Sequence, residues 1–540
     1  MSGRSQHSQP NLSRLVRRAR GAHEAGDFAT AERLYSAVLQ RQAKNFDALH
    51  GLGRLHCQRG RFDTALPLIQ AALRSDGSRA EGFADLGLAF HCLRRFEAAL
   101  ISYDQGLALD PGNAELRNRR GVALLELCRP AEALGNFAQA LAADPLHLDA
   151  LGNYGNALLK LNRPQEALAA YDRALTHAPD SAPLLTNRAV ALRRLDRPHE
   201  ALMSTSRALA ADPDFVQGRF VDAVARLTLG DFAAGWRGYE ARWAVGLLAR
   251  QRRNFTAPLW LGQETPQLPL DGKTILLYAE QGFGDAIQFL RYVPLVAGRG
   301  AKTIIVEVRR DLVPLVSDLP GVTAVIAYGD PLPQFDMHCP LMSLPFAFAT
   351  ELVTIPAAIP YLAARQDRIA LWRDRPPQTR PLIGLAWSGE RSHDNDLNRS
   401  IALETLLPLF DLPDMTFVSL QHDVRERDLA VLQRLPKLAR IEPKFADFAD
   451  TAAVISLVDA VVSADTAVAH LAGALGKPLL LLLPFAADFR WLRERTDSPW
   501  YPTARLYRQP KFGDWGSAIA TLAQDLARAD FSAPAFKLSA

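Results

Sequence analysis

In the first half of the chain, apolar residues recur at helical spacing inside a larger period of 34. Proline falls at Pro111, Pro145, Pro179 and Pro213, three of them directly after Asp. Twelve positions before each stands a small residue, Ala99, Ala133, Ala167 and Ala201, and the column extends to Ala65, Ala31 and Gly235. Twelve earlier again come Ala19, Gly53, Gly87, Gly121, Gly155, Ala189 and Ala223. Two small columns kept through seven periods predict stacked pairs of antiparallel helices, packed where only Gly or Ala permits close approach. The prolines end each second helix, and Gly-Asp-Phe (Gly26 to Phe28, Gly230 to Phe232) or Arg-Pro turns join the helices within a pair. The register gives six regular repeats, from 12–45 to 182–215, and a degenerate seventh, 216–249, carrying Trp236 and Trp243. Residues 1–11 read as a disordered N-terminus.

The pattern changes after Ala249. Residues 250–272 lose the helical period and read as a packed linker. Then KTILLYA (Lys273 to Ala279) and KTIIVEV (Lys302 to Val308) predict buried parallel strands with a helix between them. A second series comes after them: PLIGLAW (Pro381 to Trp387), TFVSL (Thr416 to Leu420), DAVVS (Asp459 to Ser463) and PLLLLL (Pro478 to Leu483). The expected architecture is an α-helical solenoid over 12–249, then two doubly wound α/β lobes at 273–365 and 380–528. Ligands in such lobes sit at the carboxyl ends of the strands.

Composition narrows the function classes. A net charge of +4 spread over 540 residues is too weak to argue for nucleic acid or an anionic membrane. The longest aliphatic run, Leu479 to Leu483, is far too short for a membrane span. The basic start has no apolar segment behind it, so no secretory signal is expected. Cys57, Cys92, Cys128 and Cys339 have no metal-site spacing and read as reduced core residues of a cytoplasmic protein.

Three segments carry candidate chemistry. In SADTAVAHLAGALGKP (Ser463 to Pro478), a strand end leads into a helix start, where Thr466 and free N–H groups suit a diphosphate. Asp465 is in position to cap that helix, His470 lies one turn after Thr466, and Ala467, Ala469 and Gly473 leave room for a ligand or the other lobe. In AEQGFGDAIQFLRY (Ala279 to Tyr292), Gly282 and Gly284 permit a tight turn before Asp285, which suits either a proton acceptor or a helix cap. The loop WSGERSHDNDLNRS (Trp387 to Ser400) offers Arg391, His393, Asn398 and Arg399 to phosphate oxygens. Asp394 and Asp396 spell a DxD but lack the surroundings of a metal site, so no metal is expected. In the array, Asn153 and Asn187 share one repeat position, and Asn156 lies on the same helix as Asn153; all three suit a peptide backbone, although Asp85 and Arg119 occupy that position elsewhere.

The array resembles the tetratricopeptide repeat, and its asparagines are reminiscent of the ladder in protein O-GlcNAc transferases. The second half resembles the heptosyltransferase-like glycosyltransferases of family 9, on GFGD in the first lobe and GLAWSG, FVSLQ and DTAVAH in the second. It is similar above all to a bacterial subgroup in which tetratricopeptide repeats precede that module and which shares the stretch LLPFAADFRWLRERTDSPWYP (Leu482 to Pro502). The resemblance implies a GT-B fold and a metal-independent transferase using a nucleotide-sugar as co-substrate and no further cofactor. It implies that Asp285 is the base. Gly282, Gly284, Ser388, Gly389, Arg399, Gln421, Asp465, Thr466, Ala467 and His470 would hold the donor. Ala467 stands where that family has Gly, and Arg399 substitutes for its phosphate-binding Lys. The repeats imply a protein acceptor, flagellin or another surface protein being one possibility. The rival expectations are a repeat adaptor with an inactive transferase half, and a lipopolysaccharide heptosyltransferase.

Overall fold

The computed structural model describes residues 9–531, so most of the expected disordered stretch 1–11 lies outside the described residues. The described residues form two compact units, which divide between Ala191 and Leu192.

The first unit is a succession of antiparallel helix pairs: Gln9–Glu24 with Phe28–Arg41, Phe46–Gln58 with Phe62–Ser75, Ala80–Cys92 with Phe96–Leu109, Ala114–Glu126 with Pro130–Ala143, and Leu148–Lys160 with Pro164–Leu175. Asn45, Asn113 and His147 cap first helices by accepting the N–H three residues on. Pro130 and Pro164 open second helices, where a missing N–H costs nothing. The turn inside each repeat is also periodic. Gly26, Gly60, Arg94, Cys128, Asn162, Asp196 and Gly230 all have positive φ, each 34 residues from the last. Three are glycine, and the other four hold a left-handed conformation that L-residues adopt at a cost.

The glycine column has a more specific cause than close backbones. A methyl group on Gly87 would lie 2.3 Å from the Tyr103 ring, on Gly121 2.5 Å from Phe137, and on Gly155 2.5 Å from Tyr171. Gly53 likewise faces the Ile69 side chain at 2.5 Å. Each second helix thus seats a large side chain, sixteen positions further on, in the gap the glycine leaves. Where the column holds Ala189, the position sixteen on is the small Thr205.

The second unit begins in the sixth repeat and continues through the helices Pro198–Ala211, Val216–Thr228 and Phe232–Tyr239 and a 3-10 turn at Glu240–Ala244. The stretch 250–272 then packs Trp260 and Leu270 into the interior and bridges Leu259 to His338. The first lobe's sheet contains β1 (Thr274–Tyr278), β2 (Thr303–Val308), β3 (Ala324–Ala327) and β4 (Met337–Pro340), in the order β3-β2-β1-β4, all pairs parallel. The second has β5 (Leu382–Ala386), β6 (Thr416–Ser419), β7 (Leu438–Ala439), β8 (Ala460–Ala464), β9 (Leu479–Leu483) and β10 (Ala504–Arg508). Their order is β10-β9-β8-β5-β6-β7, again parallel throughout, with the direction of winding reversing between β5 and β8.

One apolar core runs from the last repeat into both lobes. Trp236 meets Phe289 edge-on at 6.0 Å and Phe489 at 5.6 Å, while Phe232 lies 6.4 Å from Trp500. The degenerate repeat has traded the regular pattern for aromatics that the α/β part covers.

Candidate active site

All the transferase-half candidates come directly after strand ends: Gly282 to Asp285 after β1, residues 387–400 after β5, Gln421 after β6, Asp465 to His470 after β8. The short helix Phe283–Phe289 packs against the helix Ala467–Ala474, which brings the two lobes' loops together. Gly284 makes that contact possible: a methyl group there would lie 2.7 Å from His470 Cδ2 and 3.5 Å from Ala467 Cα. The small residues of the second lobe serve partners of their own. Gly473 gives its space to the Tyr501 ring, and the other lobe meets the helix at Ala467.

Asp285 has both carboxylate oxygens occupied. Oδ2 accepts the Gly282 N–H at 2.9 Å, and Oδ1 accepts from Arg490 Nη2. Arg490 is almost wholly buried, donating also to Asp488 Oδ1 at 2.7 Å and, through Nε, to Gln288 Oε1 at 2.6 Å. Burial works against the charge of Asp488, but the Arg490 guanidinium outweighs it and holds the carboxyl below its ordinary range. Arg490 and Asp488 lie in the loop after β9, and sequence reasoning singled out neither. The signal was present as the stretch PFAADFRW, but only packing shows that its arginine turns back onto Asp285.

Asp465 sits where β8 meets the helix. Burial, reinforced by Asp488, pushes its carboxyl up to about 6. Thr466 occupies the helix cap position, and its hydroxyl lies 3.2 Å from Ser463 Oγ. His470 is buried, stacked on Trp491 at 5.4 Å, with Nδ1 2.9 Å from the Tyr501 hydroxyl. Burial, then the nearby Arg490 charge, bring its pKa down to about 3, so the ring is neutral at physiological pH.

The loop after β5 folds over the same place. Arg399 Nη1 donates to the Asp465 carbonyl at 3.1 Å, and its guanidinium lies on Gly389, where a methyl group would meet Nη2 at 2.7 Å. Arg399 Nε and the hydroxyl of Ser388 are both buried with no hydrogen-bond partner among the described residues. Gln421 has a different employment: its Oε1 accepts the N–H groups of Trp387 and Ser388 at 3.0 Å, and its Nε2 donates to the carbonyls of Ser388 and Asp423. Both ends of its amide are engaged by the loop's own backbone. Asp396 is buried against Arg425 at 2.7 Å and Ser400 at 2.6 Å, Asn398 is also buried, and Asp394, His393 and Arg391 are exposed, so the DxD carboxylates face different surroundings. Among the described residues no group of three or more His, Cys, Asp or Glu is arranged to hold a metal ion.

In the array, Asn153 Nδ2 donates to Asn118 Oδ1 at 2.9 Å and Asn156 Oδ1 accepts from the Tyr171 hydroxyl at 2.7 Å, while Asn187 is half-buried. Asn156 is committed to a helix-helix contact. At the repeat position of Asn153, Asp85 pairs with His50 at 2.8 Å and Arg119 with Glu115.

Tetratricopeptide-repeat models match residues 22–84 and 118–182, and the model for glycosyltransferase family 9 (heptosyltransferase) matches residues 419–484, from β6 to β9. A curated relative, Protein FlbA of Caulobacter vibrioides, is 26% identical over 344 residues, 59% of this chain and 56% of its own; the chain thus spans a little over half the length of that relative. Among solved structures, the chain is similar to YrrB, described as a TPR protein with an unusual peptide-binding site (19% identity, 34% of this chain and 95% of that one, TM-score 0.30). It is also similar to PilW, a type IV pilus biogenesis factor (22% identity, 38% and 97%, TM-score 0.35), and to a thermophilic TPR protein of Thermus thermophilus (24% identity, 34% and 98%, TM-score 0.29). The chain carries tetratricopeptide repeats and a glycosyltransferase family 9 domain, and no described helix is long and apolar enough to cross a membrane.

Proposed function

We propose that this protein moves a glycosyl group from a nucleotide-sugar to a protein acceptor recruited by the repeats. The observation that carries the reading is the cleft itself. Four strand-end loops from two parallel sheets converge on one place, and two of its buried polar groups, Ser388 Oγ and Arg399 Nε, have no partner among the described residues. Buried donors without partners are costly, and a diphosphate would satisfy both. In the transfer, an acceptor hydroxyl oxygen bonds to the anomeric carbon as the bond to the diphosphate breaks, its electron pair leaving on the phosphate oxygen. Asp285 takes the hydroxyl proton, which requires Arg490 to yield one of the two carboxylate oxygens. Arg399, Thr466 and the N–H groups opening the helix Ala467–Ala474 would meet the charge growing on the leaving group, so that transfer needs no metal ion. Fixed donors of this kind are worth about 3 kcal/mol each. The acceptor would lie along Asn153 and Asn187, and a surface protein such as flagellin suits a repeat groove.

One observation favours a second reading, a repeat adaptor whose transferase half no longer turns over: Asp285 is bonded as a structural cap would be. The two separate in one assay. Purified protein is given a panel of nucleotide-sugars, ADP-heptose and UDP-sugars included, and release of nucleoside diphosphate is followed. Turnover in the wild type that falls by about 100-fold or more in Asp285→Asn supports the enzyme. Equal turnover in both removes Asp285 as the base, and absence of both turnover and nucleotide binding leaves the adaptor.

A further inference from the structure

The sixth repeat ends its first helix at Arg193 and Arg194, and this end of the helix, with its turn, is fastened to two strand-end loops of the second lobe. Arg194 Nη2 donates to the Asp394 carbonyl at 3.2 Å, in the loop after β5. Asp196, at the positive-φ turn position, takes Arg493 Nε on its carboxylate at 2.9 Å, three residues past Arg490. Arg193 enters this junction. Its neighbours by charge are Asp488, Arg194 and Tyr239, and Asp488 is already held by Arg490 at 2.7 Å. Arg193 Nε is buried and has no hydrogen-bond partner among the described residues.

The repeat register makes this cation conspicuous. The same position is Leu159 and Leu227 in the two adjoining repeats and Leu125 in the fourth, while the first three repeats have His23, Cys57 and His91 there. A position that packs leucine in its neighbours carries a guanidinium here, where leucine would bury at no electrostatic cost. Arg193 is half-buried; desolvating its guanidinium without a direct partner is unfavourable and pushes it down to about 10.

We propose that Arg193, supplied by the repeat array, is an oxyanion-binding residue of the transferase cleft. It rests on the transferase reading only for what the anion belongs to: a phosphate oxygen of the donor or a carboxylate of the acceptor. Either oxyanion pairs with the open edge of the guanidinium, where a neutral sugar hydroxyl would leave the charge uncompensated. The repeats then supply part of the substrate site as well as recruiting the acceptor.

Thermal shift of the full chain tests this, with inorganic pyrophosphate and malonate as probes, on wild type and Arg193→Met. Pyrophosphate stabilising the wild type, with at least half of the shift lost in R193M, identifies a phosphate contact. The same result with malonate alone identifies a carboxylate contact. Arg193→Gln, which keeps a polar group of similar reach, serves if R193M does not fold and is expected to lose the shift likewise. If neither anion stabilises the wild type, or the variants respond as it does, the inference falls. Anion binding that depends on Arg193 while no nucleotide-sugar binds would leave it standing and overturn the transferase reading. Unchanged anion binding beside full turnover would do the reverse.

Discussion

Single residues in the cleft have surroundings that set their protonation. His470 carries no room for a charge: it is buried, stacked on Trp491 and beside Arg490. Its pKa in the folded protein, about 3, lies below that of an ordinary histidine, so between about pH 3 and 6.5 the unfolded chain binds the extra proton. Stability therefore falls as pH drops below about 6.5. His470→Gln, which keeps an acceptor for Tyr501, should remove on the order of 3 kcal/mol of that acid sensitivity by pH 4. Urea midpoints for both proteins from pH 7 to pH 4 give the comparison, and parallel curves would place the acid sensitivity elsewhere. Asp465 opposes this effect: its raised carboxyl favours the folded state as pH falls below about 6. At this scale the sequence was informative about position and poor about partners. DTAVAH pointed to a strand-to-helix junction. That Gln421 would spend its amide on its own loop, and Asp285 would meet an arginine 205 residues away, depends on contacts no local spacing encodes.

Elements are dictated by the repeat more closely than by the strand patterns. The 34-residue columns located the repeat helices because the second to fifth repeats meet the same demand, a large side chain seated over a glycine, and the others keep a small alanine there. Gly121→Ala puts a methyl group 2.5 Å from the Phe137 ring, inside two packed helices. It should destabilise the first unit by about 1–3 kcal/mol despite alanine's better helix propensity. Chemical denaturation of the full chain, read by circular dichroism, would show it; a gain in stability would mean the ring moves aside freely. The α/β half was less legible. Strands β1, β2, β5, β6, β8 and β9 announced themselves as apolar runs. Strands β3, β4, β7 and β10 did not: β7 has two residues, and β4 is Met-His-Cys-Pro, which bears no strand signature yet is buried along its whole length. Such short segments are strands because their neighbours pair with them.

Across the molecule, the compact units divide at Ala191 and Leu192, inside the array, not at the change of pattern near residue 250. The reason is the shared core of Phe232, Trp236 and Tyr239 with Phe289, Phe489 and Trp500. Tyr239 also accepts Gln281 Nε2 at 3.1 Å, and the buried Arg242 pairs with Glu280 at 3.0 Å, so the last repeat touches the loop that carries Asp285. A chain begun at residue 250 should lose that core and be recovered as aggregate, whereas one begun near residue 180 should keep it and fold; yield of soluble monomer on gel filtration distinguishes them. Equal recovery of both would show that the aromatic junction is dispensable.

That junction also decides how the array can be exchanged. An engineer grafting a different repeat array onto this chain would look for the joint where the helices give way to strands. The aromatics put it earlier, near the turn after Leu175. A donor array joined there inherits a ready-made adaptor in the final repeats, and exchanging the array becomes a matter of replacing the outer units alone.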